Sequence, residues 1–218
     1  MEKHIIIIAG PSGAGKTTVA DLMIERLGNL EMSRSATTRA KRGDGRDDEY
    51  VYLTKEEFLH SDEVGDMLES TEYGGNYYGT RRVEIDAIFD KGKIPILVLD
   101  YNGVCSLKSK LSYPVFAFYV FTSLKEAESR LLEREKKASS DTVLSVAKKR
   151  CVQNREDYLS LGKIATVFDA YIENGDIEKC YSDIVEALDI LRQGNDYMSD
   201  EDKKKVTSAF YSEAINNS

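Results

Sequence analysis

Several things are scarce in this chain. Its 218 residues include only two histidines and three cysteines. His4 and His60 stand alone, which reads as structural or exposed imidazole rather than catalytic. Cys105, Cys151 and Cys180 are odd in number and far apart. They form neither a disulfide framework nor a metal-ligand spacing, and fit a reducing cytosol. No apolar run approaches the roughly 20 residues of a membrane span, and the first residues run straight into a strand. The expectation is therefore a cytoplasmic protein without signal peptide or membrane segment. An excess of cations is missing too: 30 Lys and Arg against 38 Asp and Glu leave a net charge of −8. General attraction to nucleic acid is thereby disfavoured, although local basic clusters remain open. With no internal repeat or low-complexity tract, the length suits one compact domain, with room for insertions.

What is present begins with Gly10-Pro11-Ser12-Gly13-Ala14-Gly15-Lys16-Thr17, preceded by His4-Ile5-Ile6-Ile7-Ile8-Ala9 and followed by Thr18-Val19. Four successive isoleucines predict a strand buried on both faces. Val19, Leu22, Met23 and Leu27 share one face of a helix that ends at Gly28-Asn29. Strand, glycine loop and helix are the context that the GxxxxGK[ST] phosphate-binding pattern requires. Loop amides unobstructed by side chains converge on phosphate oxygens, and the helix N-terminus adds partial positive charge. Lys16 would reach the β- and γ-phosphates, and Thr17 would offer its hydroxyl to Mg²⁺.

Further on, Leu30–Ser33 reads as a short strand, followed by a polar stretch from Ser35 to Asp48 carrying Arg39, Lys41, Arg42 and Arg46 beside Arg34. Such cations serve a ligand or simply a solvated turn. Residues 49–53 alternate like a strand, Thr54 to Glu57 is a capping box, and 67–73 with 75–78 form a hairpin or bend at Gly74-Gly75. Residues 35–80 thus look like a β-rich insertion. Helix 81–90, buried strand 94–99 and Asp100 follow. Asp100 lies where ligands of open α/β sheets bind, the lesser reading being the N-cap of a helix from about Asn102. Strand 113–121 precedes a second capping box at Ser123–Glu126. The helix it opens carries Arg130 and Arg134, a polar break at 136–141 reads as a lid, and a long helix runs to about Leu161 with Leu144, Ala147, Cys151 and Tyr158 on one stripe. A last core strand is predicted over 166–172 and a helix from Ile177. A terminal helix capped near Ser199 carries Val206, Phe210 and Ala214, with nothing to indicate what that stripe covers. Buried strands alternating with helices make an α/β fold with a mostly parallel, helix-covered sheet. A phosphate loop with a mobile lid suits a nucleotide phosphotransferase.

In these residues the chain resembles the guanylate kinases. The match runs through residues 10–17, Ser35-Ala36-Thr37-Thr38-Arg39 with Arg42, Tyr50, Glu69, Gly75-Asn76-Tyr77-Tyr78-Gly79-Thr80, and Asp100 with Asn102-Gly103. It extends over residues 4 to about 190. The resemblance implies a P-loop nucleoside monophosphate kinase fold: a core of 1–34 and 81–195 with a lid at about 130–150, a GMP-binding insertion at 35–80, and an extension, 196–218, without counterpart. It implies ATP bound by Gly10, Pro11, Ser12, Gly13, Ala14, Gly15, Lys16, Thr17 and Thr18, with Asn174 near the adenine. Ser35, Glu69 and Thr80 would read guanine, while Arg39, Arg42, Tyr50 and Tyr78 would grip the acceptor phosphate. Lys16, Arg39, Arg130, Arg134 and Arg150 would neutralise the transferring phosphoryl group, and Asp100 would contact acceptor or metal-bound water. The implied reaction is ATP plus GMP giving ADP plus GDP with Mg²⁺, dGMP being a further candidate acceptor. No nucleic acid, membrane or protein partner is implied.

The chain departs from the family pattern in two places. Lys41 replaces the usual proline before Arg42, and Val98 stands where a second acid commonly precedes Asp100 by two residues. Two other readings stay open on the sequence: a non-catalytic guanylate-kinase-like binding module, or a kinase for UMP, AMP or a ribose phosphate. Glu69 argues for guanine, whose N1–H and N2–H₂ a carboxylate can accept.

Overall fold

The structure is a computed structural model that describes residues 3–41, 47–73, 75–136 and 141–216; side chains of 73, 134–136 and 141–146 are left aside. In order the elements are β1 (Ile5–Ala9), α1 (Lys16–Leu27), β2 (Leu30–Met32), β3 (Ser35–Thr37), β4 (Tyr50–Tyr52), α2 (Lys55–Glu63), β5 (Met67–Tyr73), β6 (Asn76–Arg81) and α3 (Arg82–Asp90). They continue with β7 (Ile94–Val98), α4 (Tyr101–Lys110), β8 (Val115–Phe121), α5 (Leu124–Lys136), α6 (Asp141–Ser160), β9 (Ala170–Glu173), α7 (Ile177–Arg192) and α8 (Asp200–Asn216). The expected α/β class is what the chain adopts. A five-stranded sheet has the order β2-β7-β1-β8-β9, and a four-stranded sheet the order β4-β3-β6-β5. All five residues of β1 are buried, as the isoleucine run requires. Among the described residues no helix is long and apolar enough to cross a membrane.

The chain divides into two compact units, Met1–Ile7 with Met23–Val115, and Ile8–Leu22 with Phe116–Ser218. In the first, β2 runs parallel to β7 in the register Leu30↔Ile94. Residues 35–81 build the four-stranded sheet: β3 parallel to β4, β6 antiparallel to both β3 and β5. Its core is Ala36, Phe58 and Met67, with Leu53 and Tyr77 packed against them. The capping box at Thr54 forms as expected, the hydroxyl accepting from Glu57 N–H while the Glu57 carboxylate accepts from Thr54 N–H.

In the second unit, β8 runs parallel to β9 from Phe118↔Ala170 to Phe121↔Glu173. The last strand is shorter than its apolar run predicts, because Leu161–Val167 wind into a 3-10 segment that buries Leu161 and Ala165. Pairing with β8 starts at Asp169, whose N–H donates to the Ala117 carbonyl while its carboxylate accepts from Ala117 N–H. The second capping box is half formed. Ser123 accepts from Glu126 N–H, but the Glu126 carboxylate turns to the Thr122 hydroxyl and to Arg130. Helix α8 packs on the 3-10 segment, α6 and β9. Its buried stripe is Lys203, Thr207, Phe210 and Ala214. Phe210 stacks on Tyr158 at 4.5 Å and meets Phe121 edge-on at 4.6 Å.

Candidate active site

The phosphate loop belongs to the second unit and is shaped by close approach. A Cβ on Gly10, at φ 142°, would sit 1.9 Å from the Val120 carbonyl oxygen; one on Gly13, at φ 86°, would sit 2.5 Å from that of Ala127. Glycine is therefore required twice, for backbone conformation and for contact with β8 and α5. The loop turns tightly, with Ala14 N–H donating to the Pro11 carbonyl at 3.3 Å. Lys16 Nζ donates to the same carbonyl at 2.8 Å, which holds its ammonium over the loop. Thr17 and Thr18 are exposed in the first turn of α1, which contains no acid. An anion at that helix end meets no repulsion from its own helix.

Two asparagines brace the loop. Asn174, buried at the end of β9, donates from Nδ2 to the Ala14 carbonyl at 2.7 Å. Asn154, on α6, accepts from Ser12 N–H through Oδ1 and donates to the Ser12 carbonyl through Nδ2, both at 2.8 Å. Arg130 reaches this cluster from α5, donating to the Asn174 carbonyl at 3.0 Å and to Glu126. Glu126 in turn accepts from Thr122, which together with Arg130 holds its carboxyl below the usual range. Arg150 is half-buried on α6. Arg134 lies on α5 four residues beyond Arg130, and its side chain is among those left aside.

The first unit carries the residues that the resemblance assigns to the acceptor. A bulge shifts the β5–β6 register between Met67 and Glu69. Met67, Leu68 and Glu69 are consequently buried in succession, where a regular strand would alternate. The carbonyls at the bulge are taken by α4: Ser106 Oγ donates to Leu68 at 2.7 Å and Lys110 Nζ to Met67 at 3.2 Å. Glu69, 7% exposed, accepts from the Thr80 hydroxyl at 2.7 Å. Desolvation pushes its pKa up to about 7, opposed by the Thr80 hydrogen bond and reinforced by the charge of Asp100. Asp100 is the exposed N-cap of α4, accepting from Gly103 N–H at 2.9 Å, so the capping role holds while its carboxylate also bears on Glu69.

Ser35 and Tyr50 face one another in the β3–β4 ladder, and Tyr78 pairs with Thr37. The Arg39 guanidinium lies 5.2 Å from the centre of the Tyr50 ring and donates to the Ala40 carbonyl at 3.3 Å. Lys41 sits over Tyr52 at 5.3 Å. Arg42 lies outside the described residues.

The structure adds Asn154 and Glu126 to the residues identified by sequence. Glu126 reads only as a helix cap. Asn154 has a legible signal: it falls between Cys151 and Tyr158 at the spacing of an apolar stripe, and a polar residue on such a stripe needs a buried partner.

The guanylate kinase family model matches residues 2–191. The chain belongs to the guanylate kinase family. Family members are ATP:GMP phosphotransferases. Guanylate kinase of Thermotoga maritima is 37% identical over 147 residues, covering 66% of this chain and 70% of that protein. Guanylate kinase of Fusobacterium nucleatum is 31% identical over 186 residues, covering 85% and 95%. The crystal structure of guanylate kinase from Anaplasma phagocytophilum is similar with a TM-score of 0.58 and 26% identity over 91% of this chain and 89% of that one. The family match stops before α8 begins.

Proposed function

We propose that this chain transfers the γ-phosphoryl group of Mg²⁺-ATP to GMP, giving ADP and GDP, with residues 35–80 holding GMP, 130–150 acting as lid and 196–218 as an extension. The observation that carries the base assignment is Glu69, a buried acid bonded to Thr80 in the β5–β6 ladder. Ionised, it accepts from guanine N1–H and N2–H₂, with Thr80 and Ser35 completing the edge; adenine has no such donor pair. Arg39, Arg42, Tyr50 and Tyr78 hold the acceptor phosphate by charge-assisted bonds and phenolic donors. The attacking group is then a phosphate oxygen that is already anionic, so no general base is needed.

On the donor side, amides of the loop and of the first turn of α1 bind the triphosphate with Lys16. Asn174 lies beside the adenine, and Asp100 touches the acceptor or a metal-bound water. A bond forms between the GMP oxygen and Pγ as the bridge from Pγ to the β-phosphate breaks. Negative charge on the equatorial oxygens is met by Lys16, Arg130, Arg134 and Arg150. Mg²⁺ fits the donor set: Thr17 presents an exposed hydroxyl, a hard oxygen, beside the loop. When bound, the ion neutralises charge on the β- and γ-phosphates. The proposed location is the cytoplasm.

The test is ADP formation from ATP and Mg²⁺ with GMP, dGMP, AMP, UMP or CMP. Turnover confined to the guanine nucleotides is expected. Equal turnover with AMP, or GMP binding without turnover, would overturn the reading.

A further inference from the structure

We propose that Asn154 is a positioning residue for ATP, whose carboxamide fixes the phosphate loop at Ser12 and registers α6 upon it. Asn154 is 2% exposed and stands on the buried stripe of α6 between Cys151 and Tyr158. Both polar ends of its side chain go to one loop residue, Oδ1 to the Ser12 N–H and Nδ2 to the Ser12 carbonyl, each at 2.8 Å. The amide orientation is fixed by its partners, since the N–H needs an acceptor and the carbonyl a donor. A helix side chain thus pairs with the loop as a neighbouring strand would, satisfying two backbone groups without water.

Ser12 is followed by Gly13, at φ 86° and so near α5 that an added Cβ would lie 2.5 Å from the Ala127 carbonyl oxygen. Asn174 meanwhile grips Ala14 two residues on. Ser12 and Ala14 are therefore held from α6 and from β9, and the loop between them is in place before nucleotide arrives. Arg150 precedes Asn154 by one helical turn, so the same clamp sets where that arginine stands relative to the loop. The inference rests on the ATP-phosphotransfer reading and adds to it a residue that touches no substrate.

The test exploits chemistry peculiar to the clamp. Asn154→Ala deletes both bonds and is expected to weaken Mg²⁺-ATP binding about tenfold at every pH. Asn154→Asp keeps the acceptor but, when ionised, aims a charged oxygen at the Ser12 carbonyl. Protonated, that acid donates to the carbonyl as Asn154 does. Its dissociation constant for Mg²⁺-ATP, as a ratio to the parent chain at the same pH, is expected to fall from about a hundredfold at pH 8 to below about tenfold at pH 5.5. GMP binding by both variants, measured in parallel by calorimetry, should stay within about twofold of the parent. Loss of packing alone produces no such pH-dependent recovery. A ratio flat in pH for Asn154→Asp, or ATP binding unchanged in Asn154→Ala, would overturn the proposal while leaving the function intact. Failure of the parent chain to bind Mg²⁺-ATP would overturn both. Should Asn154→Ala not fold, the pH ratio of Asn154→Asp decides alone.

Discussion

The two units differ in what they present: the first a side chain taken out of water, the second backbone held by its surroundings. Glu69 is buried by a bulge, bonded to Thr80 and left with a pKa near 7. The phosphate loop instead has glycines pressed on β8 and α5, and carbonyls occupied by Lys16, Asn154 and Asn174. The difference follows from the ligands each would take. A base edge is discriminated by the direction of a few hydrogen bonds, which demands a specific buried acceptor. A triphosphate is the same on every nucleotide, and many oriented amides with one cation suffice. The first solution carries a titration near neutrality; the second rests on peptide groups, which do not titrate.

The sharpest break in this contrast is Lys16, a charged side chain bonded within a loop built of backbone. Lys16→Ala is expected to lower kcat by about a thousandfold or more, with the circular dichroism spectrum and melting temperature near those of the parent. Retained turnover would remove Lys16 from the mechanism. Gly10→Ala attacks the backbone solution directly: its Cβ would lie 1.9 Å from a main-chain oxygen. A loss of about 3 kcal/mol or more is expected in denaturant unfolding, and a neutral result would show that the loop is free to shift.

Glu69→Gln tests the other solution. With the acceptor pair for guanine gone, kcat/KM for GMP should fall about a hundredfold, while ATP binding stays within about twofold. The same variant should be more stable than the parent at pH 8. The folded pKa of Glu69 is raised from 4.5 to about 7, so the folded chain retains a proton that the unfolded chain has lost. The stability that this group contributes is present below about 4.5 and is lost as pH rises through about 7. The loss is at most about 3 kcal/mol, so Glu69→Gln should melt a few degrees higher at pH 8. A lower melting temperature there would mean that the acid is not desolvated as described.

The smallest effect is the pH dependence of the parent. On the proposed reading only ionised Glu69 accepts from guanine, so GMP affinity should weaken by up to about tenfold per unit as pH falls below about 7. In Glu69→Gln that dependence disappears, leaving only the titration of GMP itself. If both proteins lose GMP affinity in parallel, the acid of the first unit does not govern base binding.

How far these features could be read in advance varied with the range of the interactions behind them. The Thr54 capping box depends on neighbours within a few residues, and the burial of Ile5–Ile8 is announced by four consecutive β-branched letters; both formed as expected. The second capping box did not close, because Thr122 and Arg130 compete for Glu126. The strand predicted over 166–172 began late, because Leu161–Val167 wind into a 3-10 segment and the pairing that starts the strand, Asp169 with Ala117, lies 52 residues apart in sequence. On α8 Phe210 and Ala214 lie on the buried stripe as expected, but Val206 is only half-buried and Lys203 and Thr207 take the buried positions, and the aromatic rings around Phe210 come from β8, β9 and α6.

The amino-acid sequence by itself determined the class of fold and the family, and it marked the candidate groups: glycines before Lys16 and Thr17, an acid at 69, arginines at 39, 130 and 150. Periodicity and motif spacing are local properties, and local properties survive in a string of letters. The tertiary structure alone decided that Glu69 would be buried with a raised pKa and that Asn154 would hold Ser12 across 142 residues. Each of those outcomes depends on which distant groups exclude water or supply a hydrogen bond, and only packing brings those groups together.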